Sequence, residues 1–263
     1  MNDQGDGHIK LELREAWALI TFCRPAKLNA LSRFMKQELE RVLNELKTNR
    51  DVRAVILTGE GERAFCAGTD IADVAILNEH NAKEFAQQGQ QLGERLEHFP
   101  VPVIAAINGI AAGGGTELAL GCHLRIASTN AQFSLPEIKL GIIPGYGGTQ
   151  RLARAIGETR ALQMMLTGES ISAERAERFA LINQVVEPAQ LLAEAESLAG
   201  KIAQFSPLAI RACLQAVIHG RELSLAEGLA VERDIFSQLF ATEDAREGTR
   251  AFLEKRKPVF RGR

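Results

Sequence analysis

Residues 105–117 read Ala-Ala-Ile-Asn-Gly-Ile-Ala-Ala-Gly-Gly-Gly-Thr-Glu. The apolar run Val103 to Ile107 that leads into them has the length and β-branching of a buried strand. Asn108-Gly109 breaks it with turn chemistry. Gly113, Gly114 and Gly115 follow, and Glu117-Leu118-Ala119-Leu120 then has good helix propensity. Glycines ahead of a helix let the backbone approach a bound group closely and take dihedrals closed to other residues. The first N–H groups of that helix lack intrahelical partners and carry the positive end of its dipole. Such a corner suits an oxygen that becomes negative during a reaction, and Glu117 sets a titratable carboxylate beside it. A plain strand-to-helix turn with a dipole-complementing Glu fits this stretch equally well.

Outward from the corner, the pattern predicts an α/β protein. Ile9–Leu13 and Trp17–Phe22 read as strands about a turn at Arg14-Glu15-Ala16. From Ser32 to Lys47, Met35, Leu39, Val42, Leu43 and Leu46 share one helical face. Val52–Thr58 reads as a buried strand, Asn81–His98 as a polar helix and Leu124–Ala127 as a further strand. The order ββα, βα, βα, β implies crossover connections. Beyond residue 150 helices dominate, with well-marked starts: Ser206-Pro207, the capping box Ser224 to Glu227, and Thr242 ahead of Glu243-Asp244. We read residues 1–200 as a core carrying the site, and 201–263 as a helical region for packing and oligomerisation.

The 263 residues suffice for a full hydrophobic core, and 46% hydrophobic with 24% charged residues marks a globular composition. A formal net charge of −2 makes no electrostatic case for nucleic acid or an anionic membrane. The polar, acidic start (residues 1–8) resembles neither a secretory signal nor a transit peptide, and no apolar run approaches a membrane span, so a cytoplasmic location is expected. Cys23, Cys66, Cys122 and Cys213 are scattered without a C-x-x-C pair. His8, His80, His98, His123 and His219 fall in no ligand spacing, so no metal is expected.

Two more stretches are candidates for chemistry. Phe65-Cys-Ala-Gly-Thr-Asp70 is a small-residue loop in which Asp70 is placed to cap a following turn. Upstream, Gly59-Glu-Gly61-Glu-Arg-Ala64 matches a dinucleotide fingerprint in form only, since Glu60 and Glu62 would crowd a pyrophosphate. The other stretch, Ala131 to Arg151, is dense in Gly and Pro yet apolar, with Glu137 directly after Pro136. Taken by itself, that segment slightly favours a surface carboxylate paired with Lys139. Cys66 reads as packing rather than nucleophile, and the basic end Glu254–Arg263 as solvated chain, within reach of a phosphate at most.

Together, Phe-Cys-Ala-Gly-Thr-Asp (65–70), Ala-Ala-Ile-Asn-Gly-x-Ala-x-Gly-Gly-Gly-x-Glu-Leu-Ala (105–119) and Pro-Glu-x-x-x-Gly-x-x-Pro-Gly-x-Gly-Gly-Thr-Gln-Arg (136–151) resemble the enoyl-CoA hydratase/isomerase family, the crotonases. The likeness extends to Arg24-Pro25-x-x-Leu-Asn-Ala-Leu31, residues 167–173 and residues 251–256. It implies a crotonase-like spiral of ββα units with C-terminal helices that form trimers, commonly paired into hexamers. It also implies an acyl-CoA thioester as substrate, with no metal or redox cofactor. By motif position the two oxyanion N–H groups fall on Thr69 and Gly114, each worth roughly 3 kcal/mol to the transition state. Glu117 and Glu137 fall on the two hydratase carboxylates; the roles read for them are Glu117 activating the water that attacks C3 and Glu137 protonating C2, with the reverse order left open because a pair around one water titrates as a unit. Lys27, Leu28, Ala67, Asp70 and Ile71 fall on CoA-binding positions. Tyr146, where the family usually has a small residue, leaves acyl length open. The alternatives are an enoyl-CoA isomerase, a hydratase for a branched or carboxylated acyl group, and a non-catalytic RNA-binding relative.

Overall fold

The computed structural model describes residues 7–263; all but the last two residues of the stretch 1–8, read as neither signal nor transit peptide, lie outside them. The chain opens with an antiparallel hairpin, β1 (His8–Leu13) and β2 (Trp17–Cys23), closed where Arg14 N–H donates to Trp17 O at 2.8 Å. Helix α1 (Arg33–Thr48) follows. The Ser32 hydroxyl caps it by accepting from Met35 N–H at 3.2 Å, and its predicted face of Met35, Leu39, Val42, Leu43 and Leu46 is buried throughout.

Three strand–strand–helix units come next. They are β3 (Ala54–Gly59), β4 (Ala64–Cys66), α2 (Ile71–Ala75) and α3 (Ala82–Glu97); β5 (Val103–Ile107), β6 (Ile110–Ala112) and α4 (Gly114–Gly121); then β7 (Leu124–Ser128), β8 (Gln132–Ser134) and α5 (Gly148–Ile156). The chain continues through α6 (Glu158–Thr167), β9 (Ile171–Ser172), α7 (Ala173–Arg178), β10 (Gln184–Val186) and α8 (Leu191–Ala203) to the helices α9 (Pro207–Gly220), α10 (Leu225–Leu239) and α11 (Glu243–Leu253).

Each unit sends its first strand to one sheet and its second to another. The larger sheet runs β1-β2-β3-β5-β7-β10 and is parallel from β2 onward, while the smaller runs β4-β6-β8-β9. This repetition is the spiral expected from the resemblance. Strands β3 and β5 are buried at every residue, as a parallel sheet covered on both faces requires. One face packs Ile56, Ile104 and Ile126 against Leu191, Ala195 and Ala199 of α8. The other packs Leu57, Val103 and Ile107 into the main core with α1, Leu92 and Leu96. Helix α8 lies on the sheet and runs across residue 200, whereas α9 begins at the Ser206 cap and pairs with α10.

The short strands β4, β6 and β8 were not anticipated. At three residues each they are too brief to show a period, yet they hold the loops of the site. The segment after Gly59 passes into β4 rather than a helix, so the dinucleotide reading fails.

Candidate active site

The glycine corner is built where β6 meets α4. Gly113 has φ +52°, a conformation open to glycine, and its N–H donates to Ser134 O at 3.0 Å. A Cβ on Gly113 would lie 2.9 Å from Glu137 Oε1, so the absent side chain also admits that carboxylate. The facing loop turns at Gly68, φ +97°, where a Cβ would lie 2.9 Å from Ala112 O and 3.2 Å from Gly114 N. Two loops are thereby pressed together, and Thr69 N lies 3.5 Å from the Cβ position of Gly114. Among the described residues, no acceptor takes the N–H of Thr69 or of Gly114. Two adjacent amide donors without internal partners are what an incoming carbonyl oxygen requires.

Helix α4 is buried along nearly its whole length, which puts Glu117 at 3% exposure. Its Oε1 accepts from Tyr146 N–H at 2.8 Å and Gly148 N–H at 2.7 Å. Oε2 takes no hydrogen bond from the described residues. Burial pushes the carboxyl up to about 7; the charge of Glu137 adds to the rise, while the two amides and the positive charge of Arg151 oppose it.

Glu137 opens a 3-10 turn, Glu137–Leu140. The surface ion pair with Lys139 is absent among the described residues; instead Lys139 packs beside Gly168. Glu137 Oε2 is buried without a partner, and burial raises its pKa as well. The structure thus gathers Thr69, Gly114, Glu117 and Glu137, which lie far apart in sequence, into one site.

Leu28 is brought to the same loop, its carbonyl accepting from Ala67 N–H at 3.0 Å, and the charge of Lys27 acts on Asp70. Asp70 caps α2 through Ala72 N–H at 3.0 Å and pairs with Arg24 at 2.7 Å, so its carboxylate is engaged within the protein. Ile71 is exposed. Cys66 and Cys122 are buried thiols pushed up to about 12, which removes them as nucleophiles. His123 accepts from Val103 N–H at 2.9 Å and is driven down to about 4 by burial, a neutral structural histidine. At the basic end Arg256 is bound to Glu247 and Glu254, and so is committed internally.

Several supporting residues leave little mark in the sequence. The N–H groups of Tyr146 and Gly148 hold Glu117, and the Gly-Tyr-Gly-Gly run was the available signal. Arg151 donates to Tyr146 O at 3.2 Å and to Glu97 Oε2 at 3.1 Å, while Arg221 pairs with the other oxygen of Glu97. A "polar helix" gives no hint that its last residue is buried between two guanidinium groups.

A family model for enoyl-CoA hydratase/isomerase matches residues 12–263. A short-chain-enoyl-CoA hydratase of Clostridium acetobutylicum is 42% identical to the chain, over 95% of it and 96% of that protein. A crotonyl-CoA hydratase of Syntrophomonas wolfei is likewise 42% identical, over 96% and 97%. The crystal structure of an enoyl-CoA hydratase from Bacillus anthracis superposes with a TM-score of 0.93 at 41% identity, covering 97% of this chain and 99% of that one.

Proposed function

The chain belongs to the enoyl-CoA hydratase/isomerase family, and from that premise we infer that it is an enoyl-CoA hydratase. It adds water reversibly across the double bond of a 2-enoyl-CoA to give the 3-hydroxyacyl-CoA. The observation that carries this reading is the pair of partly desolvated carboxyls, Glu117 and Glu137, beside two unpaired amides.

In the proposed mechanism the thioester oxygen accepts from Thr69 and Gly114, so that charge developing there as the alkene reacts meets donors already in place. A water lies between Glu117 and Glu137. Glu117 takes a proton from it as its oxygen bonds to C3, and Glu137 gives its own proton to C2. The pair ends with its single proton on the other member and resets by exchange. Because both carboxyls surround one water, they titrate as a unit. The chemistry uses no cofactor apart from the CoA of the substrate. Lys27, Leu28, Ala67, Asp70 and Ile71 form the CoA side in this reading, Asp70 by ordering the loop.

Exposed apolar residues on the last helices, Leu225, Phe236 and Phe252 among them, support a homotrimer or hexamer built through residues 201–263. No helix among the described residues is long and apolar enough to cross a membrane, and we place the enzyme in the cytoplasm. The test is loss of the enoyl absorbance of crotonyl-CoA. Hydration by the wild type, lowered roughly 10²–10⁴-fold in both Glu117→Gln and Glu137→Gln, is expected. Hydration that survives both changes undiminished overturns the assigned roles, and double-bond migration in place of hydration makes the protein an isomerase.

A further inference from the structure

The side chain of Tyr146 has no part in the chemistry above, yet it lies against both oxyanion loops, and its main chain holds Glu117. Its ring carbon Cδ2 is 3.5 Å from the Cβ position of Gly114, the Thr69 side chain meets its phenol, and its own N–H holds Glu117. On the other side the ring packs against α3 at Gly89, where an added methyl group would overlap it. Phe85, one turn earlier, is in tilted contact at 5.6 Å between ring centres. Lys36 of α1 donates to the phenol oxygen at 3.4 Å while lying 4.7 Å over the Phe85 ring and 3.8 Å from Asp73.

A ring packed between two glycines, hydrogen-bonded at its tip and only 5% exposed has little room to turn. It is a fixed wall rather than a swinging gate. The thioester carbonyl is anchored at Gly114, so an acyl chain extending past Glu117 meets this wall soon after the alkene.

We propose that Tyr146 ends the acyl pocket and makes the enzyme selective for short, straight 2-enoyl thioesters of crotonyl size. The inference rests on the hydratase reading but concerns the reach of the site, not its chemistry. A chain too long for the wall must either displace a packed ring or bend out of line with the two glutamates. Mismatch of a few methylenes in a rigid pocket is enough for roughly 100-fold discrimination.

The experiment compares kcat/KM for crotonyl-, 2-hexenoyl- and 2-decenoyl-CoA in the wild type, Tyr146→Phe and Tyr146→Ala. Competition by butyryl- and decanoyl-CoA is measured alongside. The wild type should favour crotonyl- over 2-decenoyl-CoA by roughly 100-fold. Tyr146→Phe should keep that ratio, because the ring and not the hydroxyl forms the wall. Tyr146→Ala, which retains the main-chain N–H to Glu117, should narrow it at least about tenfold. A wild type that accepts both esters alike, or a folded Tyr146→Ala with the original ratio, overturns the proposal. Should Tyr146→Ala not fold, Tyr146→Leu and the wild-type binding ratio decide. Tight butyryl-CoA and weak decanoyl-CoA binding without any hydration would leave the wall standing and remove the hydratase reading instead.

Discussion

Two glutamates lie on either side of Arg151, both nearly cut off from water, and they titrate in opposite directions. Glu117 is 3% exposed and is pushed up to about 7; Glu97 is 7% exposed and is held below the usual carboxylate range. Burial is the largest influence on each and raises both. What separates them is the partners. Glu97 meets the guanidinium groups of Arg151 and Arg221, whose hydrogen bonds and charges together outweigh its burial. Glu117 meets two neutral amides and the field of a second carboxylate. The fold therefore contains one acid built to stay ionised and one poised to exchange a proton near neutrality, with a single arginine adjoining both. The lesson is that desolvation makes a carboxyl sensitive, and the charge placed beside it decides what the sensitivity is for.

The largest effect should come from taking the poised acid away. Glu117→Gln is expected to lower kcat by roughly 10²–10⁴-fold while binding of a saturated acyl-CoA persists, as read by steady-state kinetics and direct titration. The same variant should alter stability with a definite sign. The folded protein binds the Glu117 proton more tightly than the unfolded chain, so this group lowers stability as pH rises from about 4.5 to about 7. Its full cost, on the order of 3 kcal/mol, is present above that window. Denaturant unfolding at pH 5 and pH 8 should show Glu117→Gln gaining on the wild type at the higher pH. Glu97 behaves oppositely, its contribution being lost as pH falls toward its lowered pKa.

Next in size come the two halves of the Glu97–Arg151 pair. Glu97→Gln should destabilise by about 3 kcal/mol, since it leaves the buried Arg151 charge without its carboxylate, and Arg151→Met should cost less, since Glu97 keeps Arg221. Their effects on rate should diverge. Without Arg151 the Glu117 carboxyl rises further, moving the acid limb of the kcat/KM profile to higher pH. Without Glu97 the Arg151 charge acts on Glu117 unopposed, and the limb moves to lower pH. Parallel movement in the two variants would break the link between the clusters. The smallest change belongs to Arg221→Met, because its side chain is 42% exposed: about 1 kcal/mol or less in thermal unfolding, with the limb unmoved.

What could be read from the residues follows the length of each pattern. Helix α1 was legible to its cap and its buried face because Met35 to Leu46 spans three turns of period, and Ser224 with Glu227 forms the capping box in the structure. Strands β3 and β5 announce themselves as apolar runs. The second sheet does not, since β4, β6 and β8 offer no repeat to detect. At the site, Gly68 and Gly113 marked where the backbone bends, but nothing local distinguished Glu137 from a surface carboxylate. Its neighbour Lys139 suggested a pairing that the 3-10 turn prevents by facing the two side chains apart. The enzyme reading came from three ordered motifs together. Arg151 and Glu97, 54 positions apart, were invisible because an ion pair across that distance leaves no trace in either segment.

The division between backbone and side chain at this site sets where change can be absorbed. The amides of Thr69 and Gly114 belong to the main chain, so replacing a side chain cannot delete them. They can be displaced, however, by any Cβ at Gly68 or Gly113, where a methyl would strike Ala112 O or Glu137. Tyr146 is the reverse case: its main-chain N–H goes to the acid whatever the side chain, so a smaller side chain there leaves that bond in place. On the proposed mechanism, divergent descendants of this protein would keep the two amides offered to the thioester oxygen and drift at the residue proposed to end the acyl pocket. Laboratory evolution toward bulkier thioesters should find its first successes at position 146 and none among the glycines.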